Sequence, residues 1–175
     1  MKWIKYIEAA AFSLFIFAFS ANAKDLLQRT DEEITKEVEQ KIKGNLYYDV
    51  FDWITVETNN GAVTLKGYVN DPWDKGFFEK IAGKVEGVKS VTDEIEKVNG
   101  PDELRYNAAR AIYGNSLFWK YGFMKDPPIH IIVNNNNVIL KGEVSSQVEK
   151  GWASMLIERD TNAFKVQNSL TVNKS

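Results

Sequence analysis

The chain has 175 residues, a formal net charge of −2, one histidine and no cysteine. Without cysteine there is no thiolate nucleophile, thiolate metal site, redox pair or lipid-bearing thiol. The mildly acidic balance argues against a general nucleic-acid binder, and no nucleic-acid partner is expected.

Residues 1–23 carry the pattern of an export signal and not of a folded element. Lys2 and Lys5 form the basic start, residues 9–18 with Phe19 the apolar core, and Ala21-Asn22-Ala23 a small-x-small cleavage site. The apolar run falls well short of the roughly 20 residues that a spanning helix needs. The expectation is a mature chain starting at Lys24, soluble in the periplasm, with no transmembrane segment.

Thr30 and Glu33 have capping-box spacing, and Ile34, Val38 and Ile42 follow at helical spacing up to Gly44-Asn45. Ile54, Val56 and Thr58 alternate as in a strand. Asn59-Asn60-Gly61 is a hairpin turn, and Val63, Leu65, Gly67 and Val69 return from it. Asp71 and Pro72 open a second helix. Its apolar face reads as Trp73, Phe77, Phe78, Ile81, Ala82 and Val85, with Gly87 at its end. A last strand covers 90–98, with Val91, Asp93 and Ile95 on one side.

The pattern then recurs. Val56 and Ile131, Val63 and Val138, Leu65 and Leu140, Gly67 and Gly142, and Val69 and Val144 are each 75 residues apart. The second unit has a helix over 102–116, with Leu104, Ala108, Ala111 and Ile112 inward. Strands at 129–133 and 138–144 are joined by Asn134–Asn137. Ser146 and Glu149 form a capping box for a helix over 147–160 carrying Val148, Trp152, Met155 and Leu156, and a strand spans 165–172. Asn99-Gly100-Pro101 is a hinge short enough to keep the units adjacent. The fold class is therefore α+β: two tandem αββαβ two-layer domains, 30–99 and 101–173, each a three-stranded sheet with two helices. Thr55, Glu57 and Tyr68 in one copy, and His130 and Ile132 in the other, fall on the sheet face away from the helices. That face meets water or, in part, the other domain.

The repeated residues are structural ones. Gly67 and Gly142, inside strands, read as room for the helix crossing the sheet. His130 reads as a surface strand residue, Asp31-Glu32-Glu33 as favourable charge in a helix first turn, and Ser146 as a cap. No nucleophile–base pair, metal site, cofactor site or phosphate loop assembles, so no enzyme is expected. Charge is uneven: residues 31–99 carry 15 acidic and 9 basic side chains, residues 101–175 carry 7 and 9. An anionic surface would meet the second half.

Residues 117–124 (LFWKYGFM) concentrate aromatic side chains, with Lys125 following. In the repeat alignment Leu117 takes the place of Ile42 and Tyr121 that of Leu46. Phe118, Trp119 and Phe123 exceed what that mapping needs. They either pack core and domains together or meet a lipid or protein partner, with Lys120 and Lys125 placed to contact phosphates.

The pattern Asn60-Gly61-x-Val63-x-Leu65-x-Gly67-x-Val69, its copy Asn136-Asn137-Val138-x-Leu140-x-Gly142-x-Val144, and the Gly87-Val88-x-x-Val91 step resemble the BON family. These are small αββαβ domains found singly or in pairs in exported and envelope proteins. Two-domain periplasmic members are similar in layout, among them an osmotically induced protein and an outer-membrane lipoprotein that recognises anionic phospholipid. The resemblance implies that the second domain meets anionic lipid through its last helix, which here carries Lys150, Trp152 and Arg159. Trp152 aligns with Phe77 and is also a core candidate. Gly61 and Gly87 are structural positions on this reading. Asn136 stands where the first copy has Gly61, and Asn162-Ala163-Phe164 where it has Gly87-Val88-Lys89.

Two functions follow. One is a non-enzymatic envelope module binding anionic phospholipid or envelope proteins, under envelope or osmotic stress. The other is a chaperone-like or adaptor protein binding polypeptide through grooves or strand edges.

Overall fold

The computed structural model describes residues 29–173. The proposed signal peptide lies outside them. The chain runs α1 (Asp31–Lys43), β1 (Trp53–Asn59), β2 (Ala62–Val69), α2 (Pro72–Ala82), β3 (Ser90–Lys97). It then repeats as α3 (Asp102–Tyr113), a 3-10 turn (Trp119–Phe123), β4 (Ile129–Asn134), β5 (Asn137–Val144), α4 (Gln147–Asp160), β6 (Lys165–Asn168) and β7 (Thr171–Val172). Each unit is an αββαβ two-layer domain: β1 and β4 pair antiparallel to β2 and β5, and the last strand pairs parallel on the other side.

Local chemistry sets the boundaries. The Thr30–Glu33 capping box is reciprocal, and Asp71 accepts the Trp73 N–H with Pro72 as the first helical residue. Asn60 (φ 51°) and Gly61 (φ 81°) both take positive φ, the geometry of the tight hairpin turn. Both their N–H groups donate to the Asp31 carboxylate, at 2.6 and 2.9 Å, which locks the hairpin to the start of α1. Asp31 is thus more than a favourable charge in a first turn.

Several expectations need correction. α2 stops at Ala82 with Gly83 as its cap, so Gly87 lies beyond the helix. Trp73 is 84% exposed, because Phe78, Ala82 and Val85 suffice to fill the core on that side. α3 ends at Tyr113 and not at 116. The last strand is broken in two: the Asn168 side chain accepts the Leu170 N–H and donates to the Lys150 carbonyl, and Leu170 turns into the core. Gly67 and Gly142 make room for a strand, not a helix. A Cβ at either would sit 1.9 Å from the Trp53 carbonyl oxygen or 2.0 Å from that of Pro128, and both residues have positive φ.

The core of each domain lies between its sheet and its helices. The outer sheet faces differ. β1 alternates buried and exposed residues, and Glu57 pairs with Lys66 on its open face. β4 is buried on both faces except at its last residue. The loop before β1 covers it: the Val50 carbonyl accepts the Ile131 N–H at 2.7 Å, and Phe51 joins the second core. His130 is 3% exposed, its ring between Tyr48 (5.4 Å) and Trp53 (5.3 Å). It is a seam residue, not the surface strand residue its spacing suggested. Gly100 packs directly on Val133, which holds the hinge against β4.

Candidate functional site

The aromatic segment is built on Asn115. Its side chain accepts the Leu117 N–H, and its carbonyl accepts those of Phe118 and Trp119. A 3-10 turn places residues i and i+3 on one face. Phe118 and Tyr121 therefore point inward together, fully buried and 8% exposed. Phe118 is a core residue and not the surface contact that its aromatic-rich segment suggested. Trp119 and Phe123 point outward, 57% and 79% exposed, in an edge-to-face pair 5.5 Å apart. Met124 is also exposed.

The segment is fastened to α4 through Glu149. Ser146 caps the Glu149 N–H as expected, but the Glu149 side chain does not reach back to complete the box. It instead accepts from the Ser145 N–H (2.9 Å), the Ser145 hydroxyl (2.8 Å) and the Tyr121 hydroxyl (3.1 Å), with the Lys120 ammonium at 3.6 Å. Burial pushes this carboxyl up, and the donors from Ser145, Tyr121 and Lys120 outweigh it, holding the group below the ordinary carboxylate range.

α4 buries Glu149, Ala153, Leu156 and Ile157. Of the four apolar residues that the sequence places on this helix, Leu156 is buried, and Val148, Trp152 and Met155 form a stripe on its exposed side. The helix is apolar on two sides, and spacing alone did not select the inward one. The cations differ in availability. Arg159 is bound in two places by its neighbour Asp160, at 2.6 Å each, and Lys120 is committed to Glu149 and the face of the Tyr121 ring. Lys125 donates to the Gly44 carbonyl at 2.8 Å, and neither it nor Lys150 has a carboxylate partner within 4 Å among the described residues. The two stretches nominated from sequence are thus joined at Glu149, with Trp119, Phe123 and Trp152 as exposed rings and Lys125 and Lys150 as charges without a carboxylate partner.

Sequence reading missed an apolar surface in the first domain. Leu46 is 93% exposed and Tyr47 is exposed too, its ring 5.0 Å from that of Phe77. The available signal was the repeat: Trp73 and Phe77 align with Val148 and Trp152; Trp73, Val148 and Trp152 are exposed, and Phe77 is half-buried at the edge of its core.

The model of the BON domain family matches residues 30–99 and again 116–174. The chain belongs to the BON family. BON domains are non-catalytic scaffolds. Among the described residues no group of three His, Asp or Glu side chains is placed to hold a metal ion, and no helix is long and apolar enough to cross a membrane. No curated protein matches this BON-family sequence. Two solved structures from Chlamydia trachomatis are similar in outline. One, from structural studies of CdsD, a structural protein of the type III secretion system, is 15% identical over 81% of this chain and 92% of that one, with a TM-score of 0.30. The other, the C-terminal domain of CdsD, is 12% identical over 83% of this chain and 100% of that one, with a TM-score of 0.31. Overlaps this loose carry no functional argument.

Proposed function

We propose that this BON protein is a periplasmic envelope module that binds anionic phospholipid surfaces through its second domain, in envelope or osmotic stress. The observation that carries the reading is the exposed Trp119–Phe123 pair, tied through Glu149 to the outward stripe Val148, Trp152 and Met155. Tryptophan and phenylalanine beside lysine suit the boundary between headgroups and acyl chains, and each lysine near an anionic bilayer contributes about 1 kcal/mol. Lys125 and Lys150 supply that charge. Arg159, neutralised by Asp160, contributes little.

Flotation of the mature chain from Lys24 with vesicles tests this. The chain is expected to float with equal parts phosphatidylglycerol and phosphatidylcholine but not with phosphatidylcholine alone. Binding should weaken at physiological salt, and by about fivefold for each of Lys125→Gln and Lys150→Gln. Flotation with neither vesicle would overturn the reading and move the function to an envelope protein or unfolded polypeptide.

A further inference from the structure

Phospholipid binding by the second domain leaves the first domain's exposed side chains without a role. Leu46 and Trp73 are 93% and 84% exposed, among the most exposed large apolar residues described. No packing demand keeps them there: the α1 and α2 sides of that core are filled by Ile34, Val38, Ile42, Phe78, Ala82 and Val85. Tyr47 and Phe77 stack edge to face at 5.0 Å, and Phe77 lies one helical turn from Trp73. Leu46, Tyr47, Phe77 and Trp73 therefore make one patch at the end of α1 and the start of α2.

This patch adjoins the seam. The Lys125 ammonium donates to the Gly44 carbonyl at 2.8 Å. Phe123 and Met124 lie just before Lys125, and Leu46 and Tyr47 just after Gly44. That bond joins the segment that carries Phe123 to the segment that carries Leu46. The seam is fixed independently by the Ile131–Val50 bond and by Phe51 in the second core. Lys125 has no carboxylate partner within 4 Å among the described residues, whereas Lys43, at the end of α1, lines the cavity at the seam with Trp53, Asp126 and His130.

We propose that Trp119, Phe123, Leu46, Tyr47 and Trp73 form one membrane-docking band across both BON domains, with Lys125 at the junction between them, seated on an anionic bilayer surface. The inference rests on the lipid reading above and extends it to the first domain. Side chains this exposed project from the surface and do not line a groove, which suits a fluid interface that closes around each ring better than a peptide that must be gripped. The exposed Lys125 ammonium, without a carboxylate partner, matches anionic headgroups. A rigid seam makes the halves act together: once one half is seated, the other is held at the bilayer at high effective concentration.

The test is flotation of the mature chain with vesicles of equal parts phosphatidylglycerol and phosphatidylcholine, comparing Leu46→Ser/Trp73→Ser with Trp119→Ser/Phe123→Ser. All four residues are exposed, and circular dichroism checks that each variant is folded. The expected result is that each pair weakens binding by tenfold or more, an order of magnitude for withdrawing two large apolar side chains from the interface. Wild-type flotation that survives unchanged in Leu46→Ser/Trp73→Ser would overturn the band while leaving second-domain lipid binding intact. Loss in that variant with none in Trp119→Ser/Phe123→Ser would equally overturn it. Failure of the wild type to float would overturn both proposals. Vesicle-independent capture of an unfolded polypeptide that depends on Leu46 and Trp73, with no flotation, would reassign the patch and overturn the lipid band.

Discussion

Asp74 and Glu149 stand at the same position in the two copies, the third residue of the second helix, and both are buried. Their surroundings push them in opposite directions. Burial raises the Asp74 carboxyl to about 6, and the Asp71 and Asp49 charges add to the rise. At Glu149 the Ser145, Tyr121 and Lys120 donors outweigh burial. The N–H after the second strand shows the change most directly: Ser145 donates to Glu149, but its counterpart Asn70 donates to Asp52, at 3.0 Å. Burial, with the Asp49 and Asp74 charges, lifts Asp52 to about 7 against the Asn70 and Asp49 N–H bonds. Where Tyr121 supplies a hydroxyl, the first copy has Leu46, which points into solvent. The duplicated fold conserves a place for a buried carboxylate. The donors around it decide its charge, and in the second copy they also bind the aromatic segment.

The largest expected effect asks whether the copies are equivalent in backbone. Gly67→Ala and Gly142→Ala each place a Cβ about 2 Å from a neighbouring carbonyl oxygen in a positive-φ position. Each should cost about 3 kcal/mol or more in urea unfolding, and to a similar degree. A mild effect in one copy alone would break the equivalence of the two strand pairs.

The next contrast is direct. Glu149→Ala strands the Ser145 and Tyr121 donors and should cost about 2 kcal/mol at pH 7.5. Asp74→Asn removes a carboxylate held in its disfavoured charged form and should leave stability unchanged or raised at that pH. Equal losses in both would contradict opposite electrostatics at the shared position.

The pH dependence sharpens the same point. Asp52 and Asp74 have folded pKa values raised above their unfolded ones, so their stabilising effect is full below about pH 4 and is lost as pH rises through 6 to 7. Glu149 is lowered, so its effect is present above about pH 4.5 and is lost as pH falls below that. Hydrogen exchange followed by mass spectrometry should show the first domain losing about 1–3 kcal/mol between pH 5 and pH 8, with Asp52→Asn flattening the loss. The second domain should lose protection only on the acid side. Smallest of all, Trp73→Ser should change stability by no more than about 0.5 kcal/mol, because its ring packs on little.

Element order was legible because each boundary carries its own chemistry: Thr30 with Glu33, Asn60 with Gly61, Asp71 with Pro72. The Asn115–Lys125 connection was legible only as composition. Which of its rings turn inward depends on a 3-10 turn and on Glu149 at a distance in sequence, and neither leaves a period. The inward side of α4 was not legible for the same reason, since Val148, Trp152 and Met155 are as apolar as the residues that fill the core. His130 lies in the seam because the loop of another domain covers β4. The unbroken apolar run around it was the clue, since a strand with one face in water alternates.

In the proposed band, the two domains present one surface to a membrane. Fluorotryptophan labelling of the mature chain resolves Trp53, Trp73, Trp119 and Trp152 in fluorine NMR without altering the sequence. With anionic vesicles carrying a headgroup-attached nitroxide, Trp73, Trp119 and Trp152 are expected to broaden, with Trp53, against His130 in the seam, spared. Broadening of the second-domain signals with Trp73 left sharp, or no broadening at all, would contradict the band.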